Sequence, residues 1–265
     1  MIFSNFHTHS VYSDGKNTIE ELVLTAIEKN FSAIGISDHS YMSFDHSYCM
    51  KKDAMTEYVH TIHTLRDKYA DQIAVFAGLE LDRYSSRPDT ELDYIIGSVH
   101  AIPTPYGGWT SVDSDAALQQ AVINKWFDGD MNQYARAYYS NVIDMAKIHR
   151  PDIVGHFDVV CKFREAENPI YNGYALEAAA AVMESCDLFE INTGAIARGI
   201  KSVPYPSPFI MKYLAEHKAK FILSSDCHRA ALLDCWFADA VEYCRSFGVR
   251  SLVTLTKDGF TEYGI

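Results

Sequence analysis

Short apolar runs alternate along the chain with longer stretches whose apolar residues recur at helical spacing, the pattern of strands joined by crossover helices. The runs at 2–6, 33–37, 74–79, 94–99, 153–155, 188–191 and 221–224 are brief and largely apolar. Parallel strands covered on both faces read in this way. The first helical stretch carries its own start signal, because Thr18 and Glu21 form a T-x-x-E capping box. Behind it Ile19, Leu22, Val23, Ala26 and Ile27 recur on one face, while Glu20, Glu28 and Lys29 fall mainly on the wet side. Helical text returns at 53–69, 133–149, 173–185, 207–217 and 230–247.

Seven such units with no Pro-, Gly- or Ser-rich linker between them predict a single domain over residues 1–265, a closed or nearly closed α/β barrel. The interval between the fourth and fifth strands is the exception. It holds Pro103, Pro105, Gly107, Gly108, Trp109 and Trp126, and its 103–132 portion is expected to lie over the barrel mouth as a lid or substrate-shaping insertion.

Composition narrows the setting. With 48% hydrophobic and 22% charged residues the chain is an ordinary globular protein. A net charge of −12 argues against a nucleic-acid partner, which calls for a basic stripe. No basic-then-apolar leader and no long apolar span occurs, so no membrane association and a cytoplasmic location are expected. The six cysteines form no C-x-x-C pair and are expected to be reduced thiols.

The chemistry lies in what ends the strands. His7 and His9 follow the first in F-H-T-H-S, with Asp14 close behind in Y-S-D-G. His39 closes the second, Glu80 the third, His100 the fourth and His156 the fifth, while Asp226 and His228 close the seventh in S-S-D-C-H-R. The C-terminal ends of parallel barrel strands converge on one face, where catalytic residues gather. One histidine at a strand end is an unremarkable hydrogen-bonding residue, but coincidence over six strand ends is not. Nine candidate ligands exceed the needs of one tetrahedral ion and suit a cluster of two or three. Imidazole and carboxylate without thiolate fit zinc, manganese or iron. Alternation along an extended segment places His7 and His9 on one side and Thr8 on the other, and turns Cys227 away from its neighbours Asp226 and His228. His60 and His63 have metal-binding spacing on a helix but lie away from strand ends, and read as surface residues.

The ordered set F-H-T-H-S, S-D-G, S-D-H, G-L-E, S-V-H, G-H-F-D and S-D-C-H, spanning residues 7–228, resembles the polymerase-and-histidinol-phosphatase (PHP) superfamily. The stand-alone length and the text I-N-T-G-A-I-A-R at 191–198 look most like its histidinol-phosphate phosphatase branch. The resemblance implies a distorted (β/α)7 barrel with a trinuclear site. It assigns His7, His9, Glu80 and Asp226 to one metal, Glu80, His100 and His156 to a second, and Asp14, His39 and His228 to a third. Glu80, Asp226 and His228 are the residues expected nearest the reaction. The implied reaction is hydrolysis of L-histidinol phosphate in histidine biosynthesis. Paired metals acidify water and neutralise phosphoryl oxygens, so in-line attack of hydroxide on phosphorus is expected. Arg198 and Arg164 are candidates to clamp the phosphate, Asn192 to orient substrate, and Asp158 to orient a ligating imidazole. Alternatives on the same site are a nuclease or a protein-tyrosine phosphatase. A non-catalytic metal-stabilised module is a further reading, disfavoured by the intact ligand set.

Overall fold

The computed structural model describes residues 3–164 and 168–265, so Ile2 of the first expected strand lies outside the described residues. The strands are β1 (Ser4–Asn5), β2 (Ala33–Ile36), β3 (Ala74–Asp82), β4 (Tyr94–Ser98), β5 (Ala101–Pro103), β6 (Trp109–Ser111), β7 (Ile153–Val154), β8 (Leu188–Asn192), β9 (Lys220–Ser224), β10 (Ser251–Thr256) and β11 (Gly259–Gly264). The helices are α1 (Ile19–Glu28), α2 (Met55–Lys68), α3 (Ala116–Trp126), α4 (Met131–His149), α5 (Pro169–Met183), α6 (Gly194–Ala197), α7 (Pro208–Glu216) and α8 (Phe237–Ser246).

Strands β1, β2, β3, β4, β7, β8 and β9 pair in parallel in that order, and the sheet curls into a distorted (β/α)7 barrel. Among the described residues no regular ladder closes the seam. Thr8 forms an isolated parallel bridge with Cys227, the His9 amide donates to the Cys227 carbonyl at 2.9 Å, and Asn5 Nδ2 donates to Ser225 Oγ at 2.6 Å. This seam joins the segments after β1 and β9, and so draws His7, His9, Asp226 and His228 together.

Helix α1 starts as its text predicts: the Glu21 amide donates to Thr18 Oγ1 at 3.2 Å and the Thr18 amide to Glu21 Oε2 at 2.7 Å. Its face Ile19, Leu22, Val23 and Ala26 is buried. Helix α5 begins earlier than 173, because Asn168 accepts from the amides of Ile170 and Tyr171 and Pro169 occupies the first turn. The stretch 230–247 is broken: a 3₁₀ turn at Ala230–Leu232 precedes α8, and Trp236 between them is left-handed. The hairpin β10–β11 extends the sheet beyond β9 and was not among the expected strands, although the D-G step at Asp258-Gly259, where the turn meets β11, is a hairpin signal. The 101–132 segment contains the β5–β6 hairpin and α3. Among the described residues, no helix is long and apolar enough to cross a membrane.

Tyr94 fills the barrel interior against Phe6 and donates to the Phe6 carbonyl at 2.5 Å. Room for it comes from two glycines: a Cβ on Gly35 would lie 2.2 Å from its hydroxyl, and one on Gly78 2.1 Å from its ring. Tyr94 cannot yield to either, since its ring is buried in the barrel. Gly78→Ala should therefore destabilise the fold by about 1–3 kcal/mol or more, as overpacking does, read as a lower midpoint in denaturant unfolding.

Candidate metal centre

Asp14, His39, His100, His156, Asp226 and His228 line one cavity of about 670 Å³, and His7, His9 and Glu80 lie within 4 Å of these residues. The first loop is shaped for this. Asp38 accepts from Ser10 and Ser13 through both backbone and hydroxyl groups, tying the turn that presents Asp14. Thr8 turns outward to donate to the Gly35 carbonyl at 2.8 Å, which leaves His7 and His9 facing inward together. Asp226 has a left-handed backbone, φ 47°, a conformation Asp tolerates better than most residues.

Glu80 stands at the centre. Its Oε1 lies 2.9 Å from His156 Nε2 and 3.3 Å from His100 Nε2, while its Oε2 lies 2.6 Å from His39 Nδ1 and 3.3 Å from His7 Nε2. Asp226 Oδ1 lies 3.2 Å from His9 Nε2 and 3.8 Å from His7 Nε2. Asp14 Oδ1 is 3.2 Å from His228 Nε2 and 3.7 Å from His39 Nε2. The atoms gather into three overlapping groups: His7, His9 and Asp226; His39, Glu80 and His100; and His9, Asp14, His39 and His228. These groups differ in detail from the division that the resemblance implies. His39 serves both the Glu80 and the Asp14 neighbourhoods, and His9 reaches the outer group.

A metal fits this arrangement on a test internal to the molecule. His7 Nε2, both ring nitrogens of His9, Glu80 Oε2 and Asp14 Oδ1 are buried and make no hydrogen bond among the described residues. Buried polar atoms are ordinarily satisfied, and His7 Nε2, His9 Nε2, Glu80 Oε2 and Asp14 Oδ1 all belong to residues of the clustered groups, where each can offer a lone pair. A cation between them removes the conflict. The electrostatics agree. Burial opposes ionisation of Glu80, yet His7, His100 and His39 hold its carboxyl well below the usual range. Burial likewise opposes the charge on Asp226, but Arg198 and His7 hold it low. Burial disfavours protonation of His7 and His100, and the surrounding carboxylates outweigh it and raise both. His9 is lowered, by burial and by His228 and His39.

Two carboxylates that sequence reasoning passed over orient the imidazoles. Glu190, in β8, accepts from His7 Nδ1 at 2.6 Å, from the His156 amide at 2.8 Å and from Asn192 Nδ2 at 2.9 Å, and also binds Ser224. Its bond to Nδ1 leaves Nε2 of His7 as the free lone pair, the arrangement usual behind a metal-ligating histidine. Asp82 accepts from the backbone amide of His100 at 2.9 Å and lies 3.3 Å from its Nδ1. Glu190→Gln should lower metal affinity by roughly 10- to 100-fold, the range for an outer-shell partner. Equilibrium dialysis with elemental analysis measures it, and unchanged affinity would remove Glu190 from this role.

The remaining expected site residues divide. Arg198 lines the cavity, with Nη2 3.1 Å from Asp226 Oδ2. Arg164 is exposed, donates to Gln120 at 3.0 Å and does not line the cavity. The cation that does line it on that segment is Lys162, held by Asp113. Asn192 is wholly buried, its amide shared between Glu190 and the Gly194 backbone, and it does not face the cavity. Asp158 binds Ser207 and Cys161 rather than an imidazole. Cys227 lines the cavity but belongs to none of the three groups, and His60 and His63 are exposed. All six cysteines are free thiols. Ser111, Asp113 and Ser114, from the 101–132 segment, form part of the cavity wall.

Comparison with known proteins places this geometry among relatives. The PHP domain family profile matches residues 5–194. A protein of Deinococcus radiodurans named "Probable histidinol-phosphatase" is 27% identical over 94% of this chain and 94% of its own. A crystal structure from Listeria monocytogenes superposes with a TM-score of 0.77 at 22% identity, covering 89% of this chain and 99% of that one. Histidinol phosphate phosphatase from Lactococcus lactis, solved in complex with zinc, L-histidinol and phosphate, superposes with a TM-score of 0.71 at 18% identity, covering 97% and 98%.

Proposed function

Because the chain belongs to the PHP domain family, we propose that it is a metal-dependent phosphomonoesterase that hydrolyses L-histidinol phosphate to L-histidinol and phosphate. The observation that carries this reading is the convergence of buried, unpartnered imidazole nitrogens and carboxylate oxygens at the barrel mouth. The ligands of the Lactococcus lactis relative, L-histidinol and phosphate, are the two products of that reaction. Six free thiols suit the reducing cytoplasm.

About three divalent ions (zinc, manganese or iron) suit a ligand set of this kind. His7, His9, Glu80 and Asp226 would hold one, Glu80, His100 and His156 a second, and Asp14, His39 and His228 a third. Such ions supply Lewis acidity to phosphoryl oxygens and to water. The chain's own residues do the rest. Glu190 and Asp82 fix the ring orientations of His7 and His100. Arg198, anchored on Asp226, keeps further N–H donors for a phosphate oxygen. The 101–132 segment walls the cavity and shapes it around the organic part of the ester.

Arg198→Ala should weaken phosphate binding by roughly 1.5–3 kcal/mol, the range for hydrogen bonds to charged groups, and Arg198→Lys should restore only part of it. The deciding experiment is kcat/KM for histidinol phosphate and for a short single-stranded oligonucleotide, each at low and high salt. Preference for histidinol phosphate with a shallow salt dependence is expected. Preference for the oligonucleotide with a steep salt slope would replace this reading with a nuclease.

A further inference from the structure

Two carboxylates line the cavity without belonging to the metal-holding groups, Asp45 and Asp113. They differ in compensation. Lys162 Nζ donates to the Asp113 backbone carbonyl at 2.8 Å and lies 3.3 Å from its Oδ2, so that charge is neutralised within the protein. Asp45 has no such partner. Its Oδ1 accepts from the Ser47 amide at 2.9 Å and the Ser47 hydroxyl at 2.6 Å, and no cation among the described residues pairs with it. The position is specific. Asp45 lies on the loop after β2, three residues before Tyr48, whose ring packs on His39 at 4.9 Å and near His100 at 5.9 Å. Lys16 and Arg229, for which no ion pair occurs among the described residues, line the same cavity from the segments after β1 and β9.

The cavity thus offers free charge of both signs around one metal centre. A simple phosphate ester needs only the positive part. A substrate that is anionic at phosphorus and cationic elsewhere uses both, and a carboxylate enclosed by a filled cavity attracts a cation far more strongly than one in open water. We infer that Asp45 is a specificity-determining residue that receives the protonated amine of the substrate, so that the enzyme selects phosphate monoesters bearing an ammonium group. The inference rests on the phosphomonoesterase reading above and adds the feature by which one monoester is chosen over another.

Asp45→Asn tests it in the metal-replete full-length protein. Asn retains an oxygen for the Ser47 bonds, so the loop keeps its anchor while the charge is lost. The readout is the ratio of kcat/KM for O-phosphoethanolamine to that for ethyl phosphate, which differ in the ammonium group, with histidinol phosphate measured alongside. The ratio should fall by about 10- to 100-fold, the range for one hydrogen bond to a charged group, mainly through KM, and Asp45→Glu should recover part of it. A ratio unchanged in Asp45→Asn, including the case in which both rates fall together, would overturn the role of Asp45 alone. A wild-type protein with no preference for histidinol phosphate over ethyl phosphate would instead overturn the substrate assignment on which the inference rests.

Discussion

Glu80→Gln should leave a folded protein whose turnover has fallen by far more than the roughly 10- to 100-fold that an outer-shell change costs. The reason is that its two oxygens do different work. Oε1 faces His156 and His100, and Oε2 faces His39 and His7, so one side chain joins both halves of the ligand set. Gln keeps the volume but replaces one oxygen by an NH₂ group, a donor where a ligand must accept. The neighbouring imidazoles also lose the charge they surround, since Glu80 lies within 3.3 Å of four of them, His7, His39, His100 and His156. Elemental analysis of the variant should show metal loss in parallel with activity. His60→Ala supplies the control, because His60 is exposed on α2 and outside every ligand group. Equal damage from His60→Ala and Glu80→Gln would show that position at a strand end is not what matters.

What could be read from the sequence follows from how locally each feature is encoded. Strand ends are local. A short apolar run followed by His, Asp or Glu marks a residue near the barrel mouth, and the nine expected ligand residues converge there, six on the cavity wall and His7, His9 and Glu80 within 4 Å of them. The period of two along F-H-T-H-S is equally local, and Thr8 does turn away to Gly35. Glu190 was illegible for the opposite reason. It sits inside L-F-E-I-N, where a lone carboxylate in an apolar strand reveals burial but not its partner, and that partner, His7, is distant in the chain. The signal was present, since a charged residue enclosed in a parallel strand must be paired. Loop side chains were harder still. Arg164 and Lys162 are close in sequence, yet only Lys162 turns into the cavity, and nothing in their spacing distinguishes them. Asn192 ends its strand as a ligand-type residue would, but its amide bridges Glu190 and the Gly194 backbone.

The same limit governed the chain's irregular parts. The β10–β11 hairpin follows the last barrel strand, where a strand–helix reading expects no further strand, so its alternating residues drew no assignment. Within 230–247 the apolar spacing runs on across Trp236, whose backbone is left-handed and interrupts the helix.

Removal of the metals should abolish hydrolysis completely, and the recovery of activity should depend on pH in a definite direction. In the metal-free protein the pKa values of His7 and His100 are raised by the carboxylates around them, above the ordinary histidine value of about 6.5. A protonated imidazole cannot ligate. Below the raised pKa the proton therefore competes with the cation, and metal uptake releases protons. Glu80 and Asp226 are shifted downward, so they remain ionised throughout the same range and do not limit binding. Reloading should thus weaken as pH falls through a value above that of a free histidine, and the imidazoles set the acid limb. Binding to the folded state alone also stabilises it by mass action, so the melting temperature should rise on reloading and the gain should shrink as the solution is acidified. Dialysis against chelator, return of zinc or manganese at a series of pH values, and parallel measurement of metal content, melting temperature and turnover would test each step. Full activity after exhaustive chelation, or metal retention that is flat from mildly basic to mildly acidic solution, would contradict the assignment of these imidazoles as ligands.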